Sequence, residues 1–233
     1  MLCISYSCLF VFDEVPWAGR CDMKIVQHNK YTTIKEHQHN IPMTVPPIYA
    51  FPPLYTRQPN AIIRNKQIDS WEEILLSTAR QHGLWEIDTE GKFTTSTTTE
   101  KSATPPPHLQ GSMFTNEAIG RTVPPLFVKE IMSHMLAKGS LVQGGSDSTA
   151  AYWVLWKNMD SWASLMLEWC ETTGKLGQVV TLYELTMGDE SIGWDFHGMP
   201  QGLAARCLRL LVKRARATML QDEYDRDIAV KVI

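Results

Sequence analysis

Twice along this chain the same order of patterns appears: an amphipathic helix, a linker, a second amphipathic helix and a closing pair of short β-type runs. In the first half Asn60 opens a helical period in which Ile68, Trp71, Leu75, Thr78 and His82 trace one face, and Gly83 supplies the stop. A second helix starts at the pair Pro124 and Pro125, carries Val128, Ile131, Met132 and Met135 as its apolar stripe, and ends at Gly139. LVQGGSDSTAAYWVLW then reads as a strand, a Gly-Gly-Ser-Asp-Ser turn and an aromatic strand. In the second half Asp160 is placed to cap a helix with Trp162, Leu165, Met166, Trp169 and Cys170 on one side. The β-branched run VVTLYELT and the turn-rich MGDESIGWDFHG lead to a last helix, expected to bury Leu203, Cys207, Leu208, Leu211 and Val212. Two short strands around LQDEYDRDIAVKVI close the chain. Paired helices elaborated by a terminal hairpin are a helix-turn-helix with a β wing. The expected fold class is therefore α+β, mainly α, with two tandem winged-helix domains joined near Lys157. The tryptophan-rich stretch from Trp153 to Trp169 suits an inflexible junction between them.

Three domain-level segments follow. Residues 1–44 have no sustained periodicity and are expected to be a disordered extension. Residues 45–157 hold a proline-rich arm and the first winged-helix domain, and residues 158–233 the second. Within the first domain, a threonine- and proline-rich stretch at about 89–111 is too poor in apolar residues to offset its ordering entropy. It is expected to be a flexible insertion.

The arm, residues 46–55, reads PPIYAFPPLY, one four-residue phrase written twice. Prolines hold φ near −65° and remove donors, so the expected conformation is polyproline II. With three residues per turn and a rise of about 3.1 Å, Tyr49 and Tyr55 would share one side about 19 Å apart. A pre-ordered arm costs little further entropy to dock. Pro-Pro-x-Tyr is also a docking phrase, its prolines stacking in an aromatic-lined groove and its tyrosine filling a pocket. On this reading the double change Tyr49→Ala and Tyr55→Ala releases the partner without unfolding the chain. Two other readings stay open: the arm packs back on its own first domain, or WW-domain ubiquitin ligases read the phrase.

Other function classes find little support. A formal net charge of −3 over 233 residues argues against holding nucleic acid by bulk charge. Arg206, Arg209, Lys213 and Arg216 still form one basic stripe on the last helix, which keeps a winged-helix nucleic-acid binder as the alternative function. The adjacent QDEYDRD wing opposes that reading, since its four acidic residues outnumber its one arginine. The sequence has no Gly-rich phosphate loop, His-Glu-x-x-His or nucleophile elbow. His37 and His39 read as polar residues of the extension, and His197 as a turn residue, so no enzyme, cofactor or metal is expected. No apolar run approaches the roughly 18 residues of a membrane span. The five cysteines, at 3, 8, 21, 170 and 207, make neither a disulfide framework nor a zinc pattern. Cys170 and Cys207 fall on apolar helix faces. The N-terminal MLCISYSCLFVF lacks a positive n-region, so the cytosol is the expected compartment.

FPPLYTRQPN followed by a tryptophan-bearing helix, and TLYELTMGDE with FHGM followed by a long helix, resemble the vacuolar protein sorting-associated protein 25 family. These are the small subunits of the ESCRT-II endosomal sorting complex. The resemblance spans residues 46–233, and VKVI sits where that family ends its last strand. It implies two tandem winged-helix domains that bind no DNA, and a non-catalytic role in sorting ubiquitinated cargo into multivesicular bodies. It implies a cytoplasmic protein recruited to the endosome membrane only through its complex, two copies entering each assembly. Pro46, Pro47, Tyr49, Pro52, Pro53 and Tyr55 would dock on winged-helix domains of the sister subunits, vacuolar protein sorting proteins 22 and 36. The second winged helix would recruit the ESCRT-III subunit vacuolar protein sorting protein 20, with Thr181 and Tyr183 of a TLYEL strand on that face. The threonine/proline stretch is longer than the family's, and residues 1–44 have no family counterpart.

Overall fold

The first helix, α1 (Ala61–His82), starts where Asn60 turns its side chain back to accept hydrogen bonds from the N–H groups of Ile62 and Ile63. It stops where Gly83, at φ 62°, adopts the left-handed conformation that glycine reaches without strain. The second, α2 (Pro125–Lys138), lies beside it in the same direction. Arg64 pairs with Glu130, Asp69 with His134, and Glu72 with Lys138 across the seam. The faces between them bury Ile68, Trp71, Leu75, Ile131, Met132 and Met135, as the periodicity requires.

This computed structural model describes residues 46–94, 109–144 and 151–233, all within one compact unit, Met43–Ile233. The extension expected at residues 1–44, with His37, His39, Cys3, Cys8 and Cys21, lies outside the described residues. So do the turn at Ser146, Asp147 and Ser148 and the middle of the threonine/proline stretch. The described margins of that stretch are anchored to the fold. β1 (Glu86–Asp88) pairs with β2 (Phe93–Thr94) through Ile87 opposite Phe93, and Lys92 bridges to Ser112. Phe93 and Leu109 both sit in the core. Averaging composition over the whole stretch concealed these two apolar anchors at its margins.

A short ribbon follows, β3 (Thr115–Asn116) against β4 (Arg121–Thr122), and then α2. β5 (Leu141–Gln143) and β6 (Ala151–Val154) form the expected hairpin, and the sheet runs β2-β1-β6-β5, all antiparallel. The second half repeats the plan with α3 (Met159–Thr172), β7 (Val179–Thr181), α4 (Leu182–Met187), α5 (Gln201–Lys213), β8 (Ala217–Gln221) and β9 (Asp227–Val232). Its sheet runs β7-β9-β8. In both halves a strand that follows the first helix, β1 or β7, pairs with the last strand, so β6 and β9 each lie between two neighbours, in a sheet of four strands in the first half and of three in the second. The fold is the expected mixture of helices and antiparallel strands.

Three local expectations change. Asn158, not Asp160, caps α3, because the helix starts at Met159 and the cap must precede it. Asp160 instead pairs with Arg214 at 2.6 Å. Val212 is exposed, since it falls on the flank of the buried stripe of α5. VVTLYELT is not one strand: β7 ends at Thr181, whose hydroxyl accepts from the N–H of Glu184 and starts α4.

Each half has its own apolar cluster, one around Trp71 and one around Trp162, Trp169 and Phe196. Tryptophans join them. Trp85 follows α1 yet packs in the second cluster, 4.1 Å from Trp156 and 5.4 Å from Trp162 between ring centroids. Arg206 of α5 lies over Trp153 and donates to the Gln143 carbonyl of β5 at 2.6 Å. At Gly202 a Cβ would meet Trp153 at 2.9 Å, so a bare backbone is what lets α5 come this close. Cys170 and Cys207 are free and buried, and burial pushes their thiols up to about 11 and about 12, leaving them packing groups.

Candidate partner-binding surfaces

The arm departs from its expected shape. Pro47–Ala50 and Pro52–Tyr55 each form a 3₁₀ turn, separated by an extended Phe51. Proline's φ suits this turn as well as polyproline II, and what differs is ψ. Here i→i+3 bonds decide ψ: the N–H groups of Tyr49, Phe51, Leu54 and Thr56 donate to the carbonyls of Pro46, Ile48, Phe51 and Pro53. The chain therefore contracts. The rings of Tyr49 and Tyr55 lie 6.0 Å apart instead of about 19 Å, and both meet Trp71 edge-on, at 6.1 and 5.3 Å.

Polar side chains lock this arrangement from below. The Gln67 amide, buried on α1, donates to the carbonyls of Leu54 at 2.7 Å and Thr56 at 2.9 Å. Trp71 Nε1 donates to the Leu54 carbonyl at 3.1 Å. Tyr49 shares its one hydroxyl proton between the carbonyls of Met113 and Thr115, at 3.0 and 2.9 Å. The carbonyl of Tyr49 accepts from Tyr55 at 2.8 Å and from Asn116 at 3.1 Å. Burial, with Tyr55 alongside, raises the hydroxyl of Tyr49 well above the usual tyrosine range, and burial raises Tyr55 as well. Tyr55 is only 2% exposed.

The fold-back alternative thus describes the tyrosines. Pro47, Ile48, Ala50, Phe51, Pro52 and Pro53 face outward, while Pro46 and Tyr49 are half-buried. Phe51, 54% exposed, is the aromatic ring this ledge offers to solvent. Sequence reading passed over it because it lies between the phrases, and its one available signal was an aromatic residue in a proline-rich run. Arg57, just past the arm, bonds Glu130 at 2.6 Å, and this guanidinium holds the Glu130 carboxyl below its ordinary range.

On the second half Thr181 and Tyr183 are brought together at the β7–α4 junction, not along a strand. The hydroxyl of Thr181 is engaged as the helix cap. Tyr183 is 60% exposed, and Val179 of β7 is exposed as well. Lys175 clasps Glu184 and Glu190 of this region at 3.0 Å each. The expected basic stripe is broken, because α5 ends at Lys213 and Arg216 lies beyond it; Arg206 is engaged by Gln143 and Trp153, Arg209 by Asp227, and Arg216 by Glu171 and the Ile233 carbonyl.

Among the described residues one carboxylate–imidazole group has the make-up of a metal site, Asp69, Glu72 and His134, beside a cleft of about 670 Å³. Lys138 already supplies its cation, with Nζ 2.6 Å from Glu72 and 3.8 Å from Asp69. His197 Nδ1 meets the Ser191 hydroxyl at 2.7 Å within a turn, consistent with a structural role. No helix among the described residues is long and apolar enough to cross a membrane.

Comparison with known proteins identifies the lineage of this architecture. Residues 48–200 match the family described as ESCRT-II complex subunit. The vacuolar protein-sorting-associated protein 25 of Saccharomyces cerevisiae is 41% identical over 199 residues, covering 81% of this chain and 98% of that protein. Its Homo sapiens counterpart is 28% identical over 172 residues, covering 74% and 88%. The crystal structure of subunit VPS25 of the endosomal trafficking complex ESCRT-II superposes with a TM-score of 0.70 at 42% identity, covering 81% of this chain and 99% of that one. A chain from the crystal structure of the endosomal complex ESCRT-II (VPS22/VPS25/VPS36) gives 0.66 at 41% identity, covering 81% and 98%. The chain belongs to the ESCRT-II complex subunit family.

Proposed function

We propose that this chain is the small, non-catalytic subunit of an ESCRT-II complex in endosomal trafficking, fastened through its arm and first half to sister subunits of the VPS22 and VPS36 type. The observation that carries the reading is the outward row Pro47, Ile48, Phe51, Pro52 and Pro53, held rigid by tyrosines turned inward. Apolar groups already fixed in place lose little entropy on docking. The docking residues expected from the sequence are thus divided by role: the prolines touch the partner, and Tyr49 and Tyr55 hold the prolines in position. Likeness to a chain crystallised with VPS22 and VPS36 supports the choice of partner. The test is the pair Ile48→Ala and Phe51→Ala, made in the full chain co-expressed with both sister subunits. Hot-spot truncations of this kind cost about 2 kcal/mol or more, or roughly a 30-fold loss of affinity. The thermal midpoint should not move, because both side chains face water. Wild-type affinity in the double variant would sink the arm as the docking element.

The second half then offers its β7–α4 face to an ESCRT-III subunit of the vacuolar protein sorting protein 20 type. Tyr183 is the anchor, and Thr181 positions it by setting where α4 begins. Tyr183→Ala should weaken capture of that subunit about tenfold or more and leave the sister-subunit assembly intact. Equal loss of both interactions would mean that the change acts on the fold. In this scheme the chain works as a rigid spacer that comes from the cytosol to the endosome with its complex and performs no chemistry of its own.

A further inference from the structure

The phrase of the arm has an echo. Residues 123–127 read Val-Pro-Pro-Leu-Phe against Phe-Pro-Pro-Leu-Tyr at 51–55. The closing aromatics, Phe127 and Tyr55, are buried in one cluster, and the proline pairs of both phrases are exposed. The two phrases are also neighbours. The 3₁₀ turn at Pro52–Tyr55 lies against β4, and the chain runs from β4 directly into Val123 and Pro124. Arg57 reaches Glu130, one helical turn beyond Leu126 on the same face of α2.

The helix start accounts for the prolines but not for the leucine. The Pro124 carbonyl takes the N–H groups of Phe127 and Val128 at 2.8 and 3.0 Å, and Pro125 presets φ at the first helical position. Leu126 is 84% exposed, more than any other large hydrophobic residue among those described. A solitary exposed leucine needs no explanation. This one prolongs a ledge that already holds Ile48, Phe51, Pro52 and Pro53.

We infer that the corner at Pro124, Pro125 and Leu126 is a third docking phrase, seated on the same sister-subunit surface that takes Pro52 and Pro53. The inference rests on the proposed role of the arm. The chemistry of the seat follows from the border of the ledge. Arg57 and Arg64 both converge on the carboxylate of Glu130, so that among the described ion pairs two guanidinium groups share one carboxylate, one helical turn from Leu126. The matching surface is an apolar groove rimmed by a carboxylate.

The experiment compares Leu126→Glu, Leu126→Arg and Phe51→Ala in the full chain, each titrated against the co-expressed pair of sister subunits, with sizing of the chain alone. Leu126→Glu is expected to weaken binding at least tenfold with an unchanged circular dichroism spectrum and thermal midpoint. Leu126→Arg should lose several-fold less, because its charge suits a carboxylate rim. If Phe51→Ala loses affinity and Leu126→Glu does not, the ledge ends at the arm: the inference falls and the arm reading stands. If neither changes binding, both fall. A chain that dimerises through Leu126 while binding its sisters normally also overturns the inference, by assigning the corner to a second copy.

Discussion

Tyr55→Ala is expected to lower the stability of the chain by about 3–5 kcal/mol, the range for emptying an aromatic site in a packed core. The ring is 2% exposed, packs edge-on against both Tyr49 and Trp71, and closes the 3₁₀ turn that Gln67 and Trp71 clasp from α1. Its loss should therefore release the arm and abolish sister binding as a consequence of unfolding locally. Tyr55→Phe keeps the ring and costs about 1 kcal/mol, since Asn116 still donates to the Tyr49 carbonyl. Urea denaturation followed by tryptophan fluorescence separates the cases. If Tyr55→Ala melts at the wild-type midpoint yet loses its partners, the ring is a direct anchor and the inward-facing assignment fails.

The pH dependence has a defined sign. Both tyrosines have folded values raised above the ordinary value near 10, chiefly by burial. Stability from this pair is present in full below that value, where the unfolded chain is also protonated. It declines as pH rises through 10 towards the raised folded values, because the unfolded state sheds its protons first. Phenylalanine at both positions should flatten that alkaline slope.

Trp85→Ala is expected to cost a similar 3–5 kcal/mol and to change the form of unfolding from one transition to two. Trp85 follows α1 in sequence but packs with Trp156 and Trp162, and its carbonyl accepts from Val154 N–H at 2.8 Å. Its indole N–H has no hydrogen-bond partner among the described residues, so removing it orphans no acceptor there. The cost is lost packing at the joint between the two clusters. What remains there is Trp156, which packs against both clusters and lies 5.5 Å from Trp162, and Arg206 on Trp153 and Gln143; the expectation is that these alone do not keep the two cores in one transition. Differential scanning calorimetry reads this directly. A single transition in Trp85→Ala, merely shifted down, would show that the halves are coupled elsewhere. The result bears on the proposed function, in which a spacer that flexes at this joint would no longer set the distance between sister subunits and the β7–α4 face.

Much of this molecule was legible before any coordinate. The bounds of α1 were readable because Asn60 and Gly83 satisfy helix ends within four residues of themselves. The stripes of α2 and α3 and the burial of Cys170 and Cys207 follow from a period that any amphipathic helix must obey. α4 was missed because six residues are too few to show a period. Its signal was Thr181-Leu-Tyr-Glu184, the spacing of a capping box, which the β-branched residues before it masked.

The site divided along the same line. Sequence alone determined that residues 46–55 would be stiff and apolar, since proline fixes φ and removes donors whatever surrounds it. It also determined that two similar helical halves would each end in a wing, because local periodicity and turn chemistry suffice for that. Tertiary structure decided which way the arm faces. The value of ψ at each proline, and so the choice between an extended rod and two tight turns, depends on Gln67 and Trp71 of α1 and on the carbonyls of Met113 and Thr115. Those partners are 13 to 66 residues distant along the chain. No local pattern encodes them, and they turn the tyrosines inward and leave Phe51, Pro47, Pro52 and Pro53 facing solvent.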